Sequence, residues 1–150
     1  MPYLDWLTEQ IASRLHAGSI GQPVFLRANL ELAADHGLIL PTAAEAVEAA
    51  VTWLQSPVRT LYAAGGPRGG FISLALAFSG GQTAALGAEL NANGEPSARL
   101  LIVGQHGILR LHHLPEPAEL ANPTIGAASR WIPMIERALA TGRPVTAAEQ

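Results

Sequence analysis

Val24-Phe25-Leu26-Arg27-Ala28-Asn29-Leu30-Glu31-Leu32-Ala33 decides the fold. Val24, Leu26, Ala28, Leu30 and Leu32 alternate with Phe25, Arg27, Asn29, Glu31 and Ala33. A period of two places the first set on one face of a strand and the second on the other. The first face is apolar and belongs in a core. The second is mixed, with Arg27, Asn29 and Glu31 in a polar row that can line a pocket or an interface.

Working outward, the preceding segment reads as a helix from Met1 to Ala17. Leu4, Leu7, Ile11 and Leu15 recur at helical spacing, and Gly18 stops it. Beyond the strand, Asp35-His36-Gly37 is a break. Pro41 and Thr42 then open a helix reaching about Leu54. Thr42-Ala43-Ala44-Glu45 has the spacing of a capping box, in which hydroxyl and carboxylate satisfy free N–H groups reciprocally.

The chain then turns to strands: 58–64, 71–79, 82–90, 99–103 and 108–114. Gly65–Gly70, Gly80-Gly81 and Gly104–Gly107 lie between them. The segment 91–97 is a polar loop, and a Pro-rich link runs from Pro115 to Pro123. A last helix runs from about Ser129 to Ala140, with Pro133 early and Gly142 behind it. Short hairpins require antiparallel neighbours. The expectation is one α+β domain over 1–150, with three helices on one face of an open-faced, mostly antiparallel sheet of about six strands.

Composition narrows the chemistry. The chain has 150 residues, net charge −3 and no Cys, and its nine basic residues are all Arg. Without Lys there is no Schiff base and no P-loop lysine; without Cys there is no disulfide or thiolate ligand. The charge balance speaks against nucleic acid, which wants a basic surface. Apolar runs are short, and no leader pattern opens the chain, so no membrane span and a cytoplasmic address are expected.

Gly65-Gly66-Pro67-Arg68-Gly69-Gly70 leads into a strand, whereas a nucleotide loop leads into a helix N-terminus. His112 and His113 are adjacent in a strand and point to opposite faces, so no metal is expected there. Glu45 and Glu48 share a helix face and could do acid–base work. Capping accounts for Glu45, and Glu48 reads as solvated. The residues alone identify no catalytic group. The candidate ligand-binding set is Arg27, Asn29, Glu31, His36, Glu45 and Glu48.

Four stretches in order resemble the C-terminal half of the Gfo/Idh/MocA oxidoreductases. Residues 17–24, Ala-Gly-Ser-Ile-Gly-Gln-Pro-Val, resemble the family's entry into its long first strand, and Arg27 falls on a frequent Arg. Trp53-Leu54-Gln55-Ser56-Pro57-Val58 resembles the close of its helix. Residues 100–109, Leu-Leu-Ile-Val-Gly-Gln-His-Gly-Ile-Leu, resemble its "IxGxxGxL" hairpin. Glu136 to Pro144 resembles its final helix end.

The resemblance implies an open-faced sheet that supplies a substrate pocket and oligomer contacts. The family's NAD(P)-binding Rossmann half and its Glu-Lys-Pro lysine have no counterpart here. The family's helical His, and the Asp three residues on, align with Ala46 and Ala49, or with Glu45 and Glu48 after a one-residue slip. The resemblance therefore implies a binding or oligomerisation module that stands alone without catalytic activity and binds no cofactor by itself.

One alternative is a subunit of a split oxidoreductase that meets NAD(P) only through a Rossmann partner. Another is a small independent enzyme that uses Glu45, Glu48 or His36. Expected partners are a second copy, through the open sheet face at Ala75, Ala77, Ala84 and Ala88, and a full-length or Rossmann-only oxidoreductase.

Overall fold

The computed structural model describes residues 2–16, 20–32, 35–91, 96–113 and 126–147. The helix stop at Gly18, the 92–95 part of the polar loop and the 115–123 link lie outside the described residues. Three helices and seven strands follow in the order α1 (Pro2–His16), β1 (Pro23–Leu32), α2 (Ile39–Leu54), β2 (Val58–Gly66), β3 (Phe71–Phe78), β4 (Thr83–Leu90), β5 (Ser97–Gly104), β6 (Ile108–His113), α3 (Ile132–Thr141) and β7 (Val145–Thr146). The sheet order is β6-β5-β1-β4-β3-β2-β7. All pairs are antiparallel except β1 with β4. The fold is thus α+β, as expected, with one strand more. The extra strand, β7, has two residues, too few to show a period.

Alternation in β1 is realised from Leu26 onward; Val24, expected on the same core face, lies at the start of the strand and is 41% exposed. Leu26, Ala28, Leu30 and Leu32 are at most 5% exposed. They join Leu61, Ile72, Leu74, Leu76, Phe78, Leu86, Leu100 and Ile102 on one inner face. The helix α2 packs across β1, β3 and β4, while α3 packs on β2 and α1 on α2. Ala43, Ala46 and Ala50 keep the buried side of α2 slim, so the helix can lie close to the sheet. By length and mean hydropathy (1.2), the stretch His36–Leu54 could cross a bilayer, which the short apolar runs did not suggest; 61% of it is buried inside the fold. That burial marks a core helix.

The capping box is not formed. Asp35 caps a short 3-10 turn (His36–Leu38), its Oδ1 accepting from Gly37 N at 2.9 Å. The chain is therefore already helical at Ile39, and the N-cap position falls on Leu38, which offers no side-chain cap. Pro41 sits in the first turn, where its missing N–H costs no bond. Thr42 is carried into the helix, where its Oγ1 is buried without a hydrogen-bond partner.

A second correction concerns the outer face. Ala84 and Ala88 are buried, at 3% and 1%. They stand opposite Leu76 and Ile72, and directly paired residues share a face. The outward set on β4 is Thr83, Ala85, Gly87 and Glu89. Ala75 and Ala77 do face outward.

Two of the resembling motifs dock on each other. His106 N donates to Ile20 O at 2.8 Å, and Gln105 N to Gln22 O at 3.0 Å. The contact needs two glycines. Gly21 has φ +73, and a Cβ there would come within 2.6 Å of the His106 ring. A Cβ on Gly104 would run into the Ile20 backbone.

Candidate functional site

No described helix lies over the outer sheet face, and strand register lays it out as a grid. One row reads His112, Arg99, Asn29, Gly87, Ser73 and Ala64 across β6, β5, β1, β4, β3 and β2. The next reads Arg110, Leu101, Arg27, Ala85, Ala75 and Tyr62. The face is therefore divided. Its β6-β5-β1 half carries three arginines and a histidine. In these two rows its β4-β3-β2 half is Ala, Gly and Ser apart from Tyr62, with Thr83, Glu89 and Phe71 beyond them.

The basic half is concave. A cleft of about 440 Å³ is lined by Arg27, Asn29, Arg99, Leu101, Arg110 and His112. Arg99 is the diagonal neighbour of both Arg27 and Arg110, with Leu101 between them as an apolar floor. Among the described residues, no carboxylate pairs with any of these arginines; the ion pair that is present joins Arg130 and Glu48.

The sequence-derived candidates separate. Arg27 and Asn29 line the cleft. Glu31, one step further along β1, is occupied: its Oε2 accepts from Asn91 Nδ2 and Ser97 Oγ, each at 2.8 Å, pinning the start of β5. His36 is exposed in the turn before α2 and does not line the cleft. Glu45 and Glu48 lie on α2, across the sheet from Arg27.

Glu48 is not a solvated position. Its Oε2 accepts from Trp131 Nε1 at 2.6 Å and from Arg130 at 3.1 Å. The Arg130 guanidinium also lies 4.7 Å from the Trp131 ring centroid. This is a joint between α2 and the 3-10 turn (Ala127–Trp131) that precedes α3. Glu45 is buried at 6% exposure.

Arg99, Arg110 and His112 were not among the sequence candidates. Their signal was the parity of the second hairpin. Inward Leu100 and Ile102 force 99 and 101 outward, and pairing then places 110 and 112 beside them.

No protein-family model matches the sequence, and no curated protein gives a significant match. Solved structures do match. Scyllo-inositol dehydrogenase from Lactobacillus casei, solved with NAD(H) and scyllo-inositol, has a TM-score of 0.74 at 13% identity, over 94% of this chain and 61% of that one. A probable dehydrogenase from Thermotoga maritima has a TM-score of 0.73 at 12% identity, over 95% and 62%. Myo-inositol 2-dehydrogenase from Lactobacillus plantarum has a TM-score of 0.68 at 12% identity, over 93% and 61%. The chain shares the fold of the part of these dehydrogenases that it matches. This chain spans about three-fifths of the length of each of these dehydrogenases.

One of these structures holds NAD(H), and a dinucleotide's phosphates take N–H groups at the start of a helix. The glycine-dense loop 65–70 joins β2 to β3 through a 3-10 turn. The described part of the β1–α2 connection holds one glycine, Gly37. Neither sets phosphate-binding N–H groups at the start of a helix.

Proposed function

We propose that the chain is a binding and oligomerisation module that pairs its sheet, outer face to outer face, with a second copy. The observation that carries this reading is the uncovered half of the sheet. Ser73, Ala75, Ala77, Ala85 and Gly87 make it flat, and Tyr62 and Phe71 stand at its rim with 40% and 42% exposure. Small side chains let two sheets approach to the usual spacing of about 10 Å. A two-fold axis would bury the same patch twice.

A second reading rests on the share of the matched dehydrogenases that the chain spans. In it, a separate Rossmann subunit supplies NAD(P) and the catalytic lysine, and this chain supplies the sheet. Light scattering tests the first reading: a mass near twice 15.7 kDa is expected. A monomer at high concentration that acquires nicotinamide-dependent turnover only with an added Rossmann subunit would replace the first reading by the second.

A further inference from the structure

We propose that the Arg27–Arg99–Arg110 cluster is a binding site for a small molecule carrying a phosphate monoester. The two outer arginines flank Leu101 on the same row, and Arg99 stands one step along, diagonal to both. Diagonal neighbours on a sheet face lie about 7–8 Å apart, within reach of long side chains. Three guanidinium groups can therefore converge above Leu101.

A carboxylate is satisfied by one guanidinium fork. A phosphate dianion presents three oxygens in three directions and can take a fork on each. That stoichiometry favours phosphate over a carboxylic acid. Asn29 and His112 flank Arg99 in the same row and add hydrogen-bonding groups for the rest of the molecule. The volume, about 440 Å³, is that of a small-ligand site. The whole chain is acidic at −3, so clustering three of its nine arginines without a carboxylate partner among the described residues runs against its average composition. Like charges held this close repel, and a bound dianion relieves that repulsion.

Calorimetric titration of the full chain with glycerol phosphate, against glycerol at matched ionic strength, tests the site. Saturable one-to-one binding of glycerol phosphate, and none of glycerol, is expected. Arg99→Gln should weaken binding about tenfold or more, since a charge-assisted hydrogen bond is lost. Arg59→Gln, on β2 away from the cleft, should leave it unchanged. Circular dichroism establishes that both variants fold. Absence of saturation, or equal losses in both variants, overturns the proposal. So does affinity that vanishes as protein concentration rises through dimer formation, because the cleft would then belong to the interface between copies. The pairing proposal and the phosphate site thus fail on separate readouts.

Discussion

Trp131 and Glu48 are joined by a hydrogen bond of 2.6 Å, indole Nε1 to carboxylate Oε2. It spans the sequence between the core helix α2 and the turn before α3. Trp131 is 5% exposed, so its N–H has no ready replacement from water. Glu48→Ala should lower stability by about 1–3 kcal/mol in urea unfolding, and Glu48→Gln, which keeps an acceptor, by less. Arg130→Ala should cost under about 1 kcal/mol, because its ion pair is more than half exposed on the arginine side.

Thr42 carries an opposite expectation. A capping residue loses stability when truncated, but here the hydroxyl is buried and unpartnered. Thr42→Val keeps the shape and removes a polar group that had given up its water. Thermal unfolding should show stability unchanged or raised by about 1 kcal/mol. A clear loss would restore a polar role for the hydroxyl.

Gly104→Ala should be costly despite its size. The added methyl meets the Ile20 main chain, which cannot rotate away. A loss of about 1–3 kcal/mol is expected in chemical denaturation. Gly81→Ala is the comparison: its Cβ would meet no atom within 4 Å, though its φ of +89 still strains the turn. Gly104→Ala should be the worse of the two.

Trp53 ties α2 to α1, its Nε1 donating to Thr8 Oγ1 at 2.8 Å. Trp53→Phe retains most of the buried ring and drops this bond. A loss of at least about 0.5–1.5 kcal/mol is expected, with faster amide exchange in α1 than in α2.

Ala75→Glu tests pairing of the outer faces. Ala75 is exposed in the single chain, so the substitution should leave its unfolding midpoint nearly unchanged. Two charges facing each other across a symmetric interface should reduce the mass in light scattering to that of one chain. An Ala75→Glu variant that remains dimeric excludes this face.

Local patterns in the sequence carried much of this architecture. The strict alternation of β1 and the glycine turns of β2-β3-β4 and β5-β6 led directly to an antiparallel open sheet. Three things were not legible. The parallel contact of β1 with β4 depends on where α2 returns the chain, which periodicity does not encode. The expected start of α2 is late because Thr42 and Glu45 carry capping spacing, while the cap that forms uses Asp35, seven residues before Thr42. At the site, Arg27 and Asn29 were visible as an outward polar row. Arg99 and Arg110 join them only through cross-strand register, and Ala84 and Ala88 were assigned to the wrong face by one residue of parity.

The position of β1 also bears on how the sheet is assembled. Its hydrogen bonds to β4 on one side and β5 on the other are what hold the meander β2-β3-β4 and the hairpin β5-β6 in one sheet. Each of those two units closes over short loops at little entropic cost. Their union does not, since Phe25 must find Thr83 across α2 and two intervening strands. The strand is thus a keystone inserted between two pieces that can form without it. A fault in β1 would leave two small hairpin units with unpaired edges, each a template for the wrong neighbour.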